Sequence, residues 1–455
     1  MYAKALVLRQ GETTVVLITV DAVAIGEIGY VGNDYMENVR GELAQRYQIP
    51  PECVLANASH CHGIVRRDAD RLSVQAVEQA LKNLVPVRIG VGTGTEDRVS
   101  ENRRLKLKDG READVRHAYA LVPDSQVVGT GPIDPEIGIL KLDRLDGSPF
   151  AVVYNFACHP IQGVPGGTNT ADMTGIASQV IEDALGHGAV AFFIQGCAGD
   201  INPVYYKAVN FPRDAETLGT LLASRVLKGV AQIQTKAAGP LKVLRRILVL
   251  PRADYARRIA ALEKRRSRLV ESLQGTSLNL KTFMELSVKQ GLWSEFPSYY
   301  SYSYLHQKQL GREQLKALDA ENRRNLERYL RNIYIMEELT RINTNLRLLK
   351  KHHAEVQKTG KKTLDVEVAA LRVGDFYLIT FPGELTVEIG LNLKKRSPHP
   401  FTFVAGYTNG YIYYAPTARQ LANQGGAQED SDTLLAPQWQ QLFETRALEL
   451  LRLLP

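Results

Sequence analysis

The sequence has few cysteines and no long apolar run. A membrane-spanning helix needs about 20 consecutive apolar residues, and no stretch approaches this length. The four cysteines among 455 residues lack the paired C-x-x-C spacing of a structural zinc site and are too few for a disulfide framework. We therefore expect them to be small, buried and reduced residues: Cys53, Cys61, Cys158 and Cys197.

A recognisable secretory segment is also lacking at the start. The opening "MYAKALVLRQGETTVVLITVDAVAI" goes directly into alternating, strand-like sequence with a Gly-Glu turn. Either the protein stays in the cell, or an export signal, with or without a first strand, precedes this sequence. The sequence predicts neither the localisation nor the oligomeric state.

The charge balance is basic, with a net charge of +7 from 56 Lys and Arg against 49 Asp and Glu. Much of the positive charge clusters around residues 252–272 and 312–362. A general nucleic-acid role would need that charge concentrated on one surface, so no nucleic-acid partner is expected. The basic helices leave open a weak contact with a membrane surface or another polyanion, although a solvated helical face explains them more simply.

Three regions differ in their apolar patterns. Residues 1–245 alternate short apolar strands with helices, which predicts the first part of a layered α/β domain with a mixed sheet. Residues 246–362 place apolar residues at helical spacing among many charges, which predicts a helical insertion such as a hairpin of two long helices. Residues 363–455 return to strands and end in an amphipathic helix, which predicts the second part of the same domain.

The stretch "NASHCHG" places two histidines one residue apart, just after the strand-like "CVLANA". Because side chains alternate along a strand, His60 and His62 are expected to point to one side, with Cys61 on the other. Two imidazoles that converge at a strand end suit a metal or a proton-transfer site. The alternative is that one or both only form hydrogen bonds within a loop.

Three further strand ends carry polar residues. His159 ends the strand "YNFACHP", at the edge where α/β folds build their sites. In "IQGCAGDINP" two glycines would let the main chain approach a ligand, and Asp200 and Asn202 follow, although a plain turn fits equally well. In "LITFPGELTVEIG" Glu384 is expected at the start of a helix, where a carboxylate can cap the helix or bind a metal.

A fifth motif, "AGYTNGYIYYAPT", gathers tyrosines around an Asn-Gly turn: Tyr407, Tyr411, Tyr413 and Tyr414. Aromatic packing in a core explains most clusters of this kind. The more specific, functional alternative is a phenol oxygen beside a metal, because a cation favours the phenolate form.

Taken in order, the five motifs resemble those of the neutral (non-lysosomal) ceramidases, which are zinc-dependent amidases and are often exported. The family pattern is "SHTHSGP", "F-x-x-HP", "GD-x-SP", "PGE" and "N-x-Y-x-x-Y-x-x-T". This chain has "SHCHG", "FACHP", "GDINP", "PGE" and "NGYIYYAPT" in the same order. The resemblance covers roughly residues 1–245 and 365–430.

The resemblance implies zinc (Zn²⁺) held by four side chains: His60, His159, Glu384 and Tyr414. Two nitrogens, a carboxylate and a phenolate form a reasonable donor set for zinc, with a position left for water.

It also implies catalytic roles for two other residues. His62 would bind the substrate carbonyl or pass protons, and Arg103, in "ENRRL", would stabilise the developing oxyanion. Asn202 stands where the family has a serine, and its amide can still donate a hydrogen bond to the intermediate.

The chain departs from the family at three places. Asn202 replaces the serine of "GD-x-SP", which excludes a serine nucleophile there. The stretch "NQGGAQED" replaces a segment with the family's "RYE" motif. The sequence also ends near 455, without the length for the family's C-terminal immunoglobulin-like domain.

The expected function is a zinc-dependent hydrolase that cleaves the amide bond of an N-acyl, sphingolipid-like substrate by metal-activated water. One alternative keeps the site but acts on another N-acyl compound or an ester. A second alternative is a non-catalytic relative that binds lipid or a polyanion through its basic helices.

A third alternative, an amidohydrolase barrel, would need two further strand-end histidines and a late aspartate. Only His159 fits that pattern. The remaining histidines lie in helical, turn or charged contexts and are expected on the surface: His117, His187, His306, His352, His353 and His399.

Overall fold

The computed structural model describes residues 1–115, 122–163, 169–206, 208, 210–237, 239–297 and 301–454. The helices of these residues are α1 (Tyr35–Tyr47), α2 (Ala69–Lys82), α3 (Asp172–Leu185), α4 (Ala215–Gln232), α5 (Ala256–Glu271), α6 (Leu280–Leu292), α7 (Ser301–Gln309), α8 (Gln314–Thr359), α9 (Val387–Arg396), α10 (Ala418–Leu421) and α11 (Trp439–Arg452).

The strands of the described residues fall in the two regions that the sequence predicts to be rich in strands, except that β13 continues beyond 245 to Pro251. They are β1 (Ala3–Gln10), β2 (Thr13–Val20), β3 (Val54–Ala58), β4 (Val87–Thr95), β5 (Ser100–Asn102), β6 (Arg104–Leu107), β7 (Glu112–Asp114), β8 (Val127–Thr130), β9 (Glu136–Arg144), β10 (Pro149–Phe156), β11 (Val190–Gln195), β12 (Ile201–Pro203), β13 (Leu241–Pro251), β14 (Thr363–Val373), β15 (Phe376–Thr380), β16 (Glu384–Leu385), β17 (Thr402–Ala405) and β18 (Tyr414–Ala415).

Three larger sheets form the framework. The first sheet has the order β1-β2-β3, the second β11-β10-β9-β4 and the third β13-β14-β15-β17. Each is mixed: β2 and β3, β10 and β11, and β15 and β17 are parallel, whereas their other pairings are antiparallel. Short strand pairs β12-β5 and β16-β18 and the sheet β7-β6-β8 complete the described pairings.

Helices and sheets pack in layers, because each sheet has apolar residues on both faces. Helices α1 and α2 share a core with the first sheet, α3 and α4 with the second, and α9 and α11 with the third. A fourth core joins the inner faces of all three sheets, with Leu17, Phe192 and Leu378 among its members. The prediction of a layered α/β fold with mixed sheets is therefore confirmed.

The described residues form two compact units. Those before Tyr255 and from Lys351 onward form the first unit, and Tyr255–Lys350 form the second, which is helical. Helices α5 and α8 follow the two stretches predicted to be helical, but the expected hairpin of two helices was wrong, because α6 and α7 lie between them in the described chain. Asn279 caps the start of α6 by accepting from the Thr282 N–H. The boundaries at 245 and 362 stay predictions.

Among the described residues, none of the helices combines the length and apolar character that a bilayer crossing requires.

The four cysteines are buried and free, as the sequence predicts. Burial raises the pKa of the Cys61 thiol to about 12, and it also raises the pKa values of the Cys158 and Cys197 thiols. Because the thiolate is the reactive form, we expect all four thiols of the native protein to react slowly with a disulfide reagent. Thiol titration with and without denaturant measures this. Rapid labelling of a thiol in the native protein would contradict the burial.

Candidate metal centre

Four sequence-predicted side chains are brought to one place by the ends of separate strands. His60 follows β3 by two residues and His159 follows β10 by three, while Glu384 and Tyr414 lie in β16 and β18. Of these, His60, His159 and Glu384 form a buried group whose ligand atoms all lie within 4.8 Å of one another. Tyr414 is buried as well.

The expected strand geometry of the two neighbouring histidines was wrong. Strand β3 ends at Ala58, and His60 takes a left-handed conformation with a φ of 66°. Its side chain is buried, whereas His62 is exposed, and the two ring centroids lie 5.1 Å apart. A turn after the strand, and not strand alternation, therefore places the two imidazoles side by side.

Glu384 does not begin a helix. It lies in the two-residue strand β16, where it pairs in parallel register with Tyr414. Residues paired in register point their side chains to the same face of a sheet. The pairing therefore presents the carboxylate and the phenol on one side, and helix α9 begins only at Val387.

Main-chain carbonyls fix the tautomer of both buried histidines. The His60 Nδ1 lies 2.6 Å from the Val23 carbonyl oxygen, and the His159 Nδ1 lies 3.0 Å from that of Ile201. A carbonyl oxygen can only accept, so each Nδ1 carries the proton and each Nε2 keeps its lone pair. Burial, with the nearby Arg103, lowers the pKa of His159 to about 4, so this imidazole is neutral at pH 7.

Both Nε2 atoms face the same carboxylate oxygen. The Glu384 Oε2 lies 3.6 Å from the His60 Nε2 and 3.2 Å from the His159 Nε2. Two ligands of a tetrahedral zinc ion, each about 2.0–2.1 Å from the metal, lie about 3.3 Å apart. Three lone-pair atoms at this spacing repel one another unless a cation lies among them, so the residues present fit a metal ion such as zinc.

Two tyrosines orient Glu384. Tyr411 donates its hydroxyl to Oε1, and the Tyr407 hydroxyl lies 3.3 Å from Oε2. Burial, together with the charge of Glu384, raises the pKa of both phenols, so they stay protonated and act as donors. The Tyr407 ring also packs at 4.3 Å from the ring of His60. Carboxylate ligands of metals are commonly held in this way.

Arg103 is fully buried beside this group. Its Nε donates to Glu429 at 2.7 Å, its Nη1 to Asn202 Oδ1 at 3.1 Å and its Nη2 to the Gly199 carbonyl at 2.5 Å. Its guanidinium also lies 5.5 Å from the centroid of the Tyr414 ring. The structure thus places Arg103 against Asn202 and Tyr414, two of the other residues predicted for the site.

The loop after β11 packs against the main chain of Glu384 and Leu385, and Gly199 permits this contact. A Cβ on Gly199 would lie 2.5 Å from the Glu384 carbonyl oxygen and 2.9 Å from that of Leu385. Asp200, whose pKa burial raises to about 6, accepts from the Val387 N–H at 2.8 Å and so caps helix α9. The glycines bring this loop close to other main chain, which is the close approach that the sequence reasoning had assigned to a ligand.

Sequence reasoning missed the carboxylates that balance the buried arginines. Glu429 and Asp430 lie in "NQGGAQED", which differs from the family pattern, and they pair with Arg103 and Arg104. A local signal is absent, because two acids in a polar, glycine-containing stretch are typical of an exposed loop. The partners lie more than 300 residues apart in the chain.

The expectation that all remaining histidines lie on the surface was wrong for one of them. His352 is buried, with its Nε2 2.8 Å from Asp432 and its ring 4.7 Å from that of Tyr413. His353 and His399 are partly buried, His187 and His306 are exposed, and His117 lies outside the described residues. His352 lies in a helix rich in charged residues, so the sequence contained no indication that its side of the helix packs inward.

Comparison with solved structures shows a shared fold. The neutral ceramidase from Pseudomonas aeruginosa matches with a TM-score of 0.61 at 17% sequence identity, over 100% of this chain and 69% of that chain. A structure described as ceramidase complexed with C2 matches with a TM-score of 0.63 at 18% identity, over 99% and 69% of the two chains. Searches found no matching protein-family model and no matching curated protein.

The contact at Gly199 predicts a specific loss of stability. We expect Gly199→Ala to lower the free energy of unfolding by about 1–3 kcal/mol, because the new methyl group would push on the main chain of Glu384. Urea unfolding measures this. Gly41→Ala is the matched control, since its Cβ meets nothing within 4 Å and lies in helix α1. Equal effects of the two substitutions would contradict the assigned contact.

The buried charges predict a second loss. We expect Glu429→Gln to destabilise the fold by about 3–5 kcal/mol, because it removes a counter-charge from two buried guanidinium groups. Glu42→Gln, which removes an exposed carboxylate paired with Arg46, should change little. Thermal and urea unfolding compare the two variants. A stable Glu429→Gln protein would mean that water or another group balances the arginines.

Proposed function

We propose that the protein is a zinc-dependent hydrolase of the neutral ceramidase type that cleaves the amide bond of an N-acyl, sphingolipid-like substrate. The observation that supports this most is the convergence of His60, His159 and Glu384, with lone pairs facing one another, in a fold shared with ceramidases. Such a group has little structural value without a cation, because its members repel.

The proposed ligands are His60, His159, Glu384 and Tyr414. Bound zinc would supply a Lewis acid that polarises an amide carbonyl and lowers the pKa of a water molecule. The protein contributes the orientation of the ligands: two carbonyls fix the imidazoles, and two phenols hold the carboxylate. The buried positive charge of Arg103 beside the Tyr414 ring favours the phenolate form that a metal ligand requires.

Proton transfer is assigned to His62. Its imidazole is exposed, lies next to that of His60 and can exchange protons with both substrate and water. A group in this place can deliver a proton to the departing amine nitrogen, which must be protonated as the amide bond breaks.

Asn202 is assigned a hydrogen bond to the developing oxyanion. Its Oδ1 accepts from Arg103, which fixes the orientation of the amide group. Its Nδ2 is buried and has no hydrogen-bond partner among the described residues. A buried donor without a partner is costly, and a substrate oxygen would satisfy it. Three of the five N–H groups of Arg103 bond to Glu429, Gly199 and Asn202, so we assign its main contribution to the orientation of Asn202 and to its charge.

Metal content and activity test the proposal together. We expect about one zinc per chain by elemental analysis and hydrolysis of a fluorescent N-acyl sphingosine, both lost in His159→Ala. His187→Ala is the matched control, because it removes an exposed imidazole outside the site. His62→Ala should keep the zinc, and its kcat should fall by a factor of about 10²–10⁴, the usual contribution of a positioned acid–base group.

Four outcomes would contradict parts of the proposal. Full activity of metal-free protein would refute the zinc-dependent reaction, and loss of zinc from His62→Ala would make that residue a ligand. If an ester or another N-acyl compound is hydrolysed much faster than the ceramide analogue, the reaction stands but the substrate class changes. Protein that takes up no zinc and hydrolyses no substrate, but binds lipid or a polyanion, would be a non-catalytic binding relative.

A further inference from the structure

A cleft runs along the outer edge of the first sheet, away from the metal centre. It has a volume of about 1210 Å³ and is lined by every residue of strand β1. Within the described residues, β1 pairs with β2 alone, so its other edge faces the cleft. An unpaired strand edge presents a row of main-chain donors and acceptors.

The register identifies which groups face the cleft. The Asp21 N–H donates to the Tyr2 carbonyl at 3.0 Å, so this opposed pair is hydrogen-bonded. Hydrogen-bonded pairs recur at every second residue of an antiparallel ladder. The N–H and C=O groups of the intervening residues, Ala3, Ala5 and Val7, therefore point into the cleft, and no hydrogen bond of these groups occurs among the described residues.

The cleft has walls on both faces of the sheet. On one face Leu6 and Leu8 lie opposite Leu142, Phe150 and Phe192 of the second sheet, in the core between the sheets. On the other face the walls come from helix α2 and the segment after it. An occupant must therefore be narrow and must place side chains on both faces alternately, as an extended strand does.

On the helix side the wall leaves room for side chains. Ala76 and Ala80 of α2 line the cleft there, and the exposed Leu84 and Val85 form its mouth. Apolar side chains of a strand would thus be covered on both of its faces.

The charged lining of the cleft is entirely basic: Lys4, Arg9, Lys82 and Arg144, without a carboxylate among the lining residues. Lys4 and Lys82 have carboxylate partners, whereas Arg9 and Arg144 form no ion pair among the described residues. This lining favours an occupant with acidic residues.

Two other occupants fit less well. A lipid chain would cover the apolar walls but leave the main-chain groups of Ala3, Ala5 and Val7 unpaired in a dry site, which costs free energy. A second copy of β1 would place its own Lys4 and Arg9 against the same positive lining.

We propose that this cleft binds an extended segment of a partner polypeptide, which adds to the first sheet as a strand beside β1. The segment has apolar side chains at alternate positions and acidic residues at its ends. Main-chain hydrogen bonds to β1 supply affinity, and the two walls and the basic lining select the sequence, as in other cases of strand addition.

Fluorescence polarisation with a labelled peptide EVTVTVTVE tests the proposal on the full chain. We expect saturable binding at about 1–100 μM and about tenfold or weaker binding to Ala5→Pro. The proline removes one N–H that points into the cleft and leaves the ladder to β2 intact. Ala5→Ser keeps that N–H and should bind as the native protein does. Equal binding by the native and Ala5→Pro proteins would overturn the proposal.

A charge exchange provides an independent test if Ala5→Pro fails to fold. The double variant Arg9→Glu/Lys82→Glu changes two exposed side chains and should bind EVTVTVTVE poorly but gain affinity for KVTVTVTVK. If the preference between the two peptides does not reverse, the assigned partner chemistry is refuted. Dodecanoate that competes fully and binds Ala5→Pro normally would show a lipid cleft instead. Binding should be unchanged in His159→Ala, which separates this cleft from the metal centre.

Discussion

Two main-chain carbonyls determine the chemistry of the candidate metal centre. Those of Val23 and Ile201 hold the protons of His60 and His159 on Nδ1, which leaves both Nε2 lone pairs directed at Glu384. Each carbonyl belongs to a segment whose position is set elsewhere: Val23 follows β2, and Ile201 lies in β12. The segment after β2 and the β12-β5 pair therefore act on the site through main-chain acceptors, which orient the two imidazoles without contacting the metal position themselves. The two phenols that donate to Glu384 do the same for the third ligand.

The second requirement of the site is charge balance without water. Arg103 and Arg104 are adjacent in sequence and both are buried. They share Glu429, and Arg104 also binds Asp430 and Glu112. Buried ion pairs of this kind add little net stability but make the loss of one partner expensive. Their contribution here is position: the pair with Glu429 holds Arg103 against Asn202 and the Tyr414 ring.

Much of this could be predicted from the sequence, and the failures have identifiable physical causes. Apolar periodicity predicted the C-terminal helix α11 and the alternation of strands and helices that gives the layered fold, because burial of one face is recorded locally in the chain. The order of five short motifs pointed to His60, His159 and Glu384, which the structure brings together. The conformation of His60 was not predictable, since nothing local signals that β3 ends at Ala58 and the next turn is left-handed. The pairing of Glu429 with Arg103 was equally hidden, because it joins residues more than 300 positions apart through contacts that only the folded chain creates.

Three residues at the centre, His60, Tyr407 and Tyr413, hold left-handed main-chain conformations that glycine would adopt more easily. Each costs roughly 1–2 kcal/mol relative to an ordinary conformation. The side chains of His60 and Tyr407 nonetheless face the Glu384 carboxylate. The backbone conformation at these positions favours glycine, whereas the site requires the imidazole and the phenol. Glycine would relieve that strain, but the rings of Tyr407 and Tyr413 belong to the first core, and deleting a buried aromatic ring costs about 3–5 kcal/mol, so packing retains the tyrosines and the chemistry retains the histidine. In a thermostabilised descendant of this protein, these positions would have to be held constant from the outset.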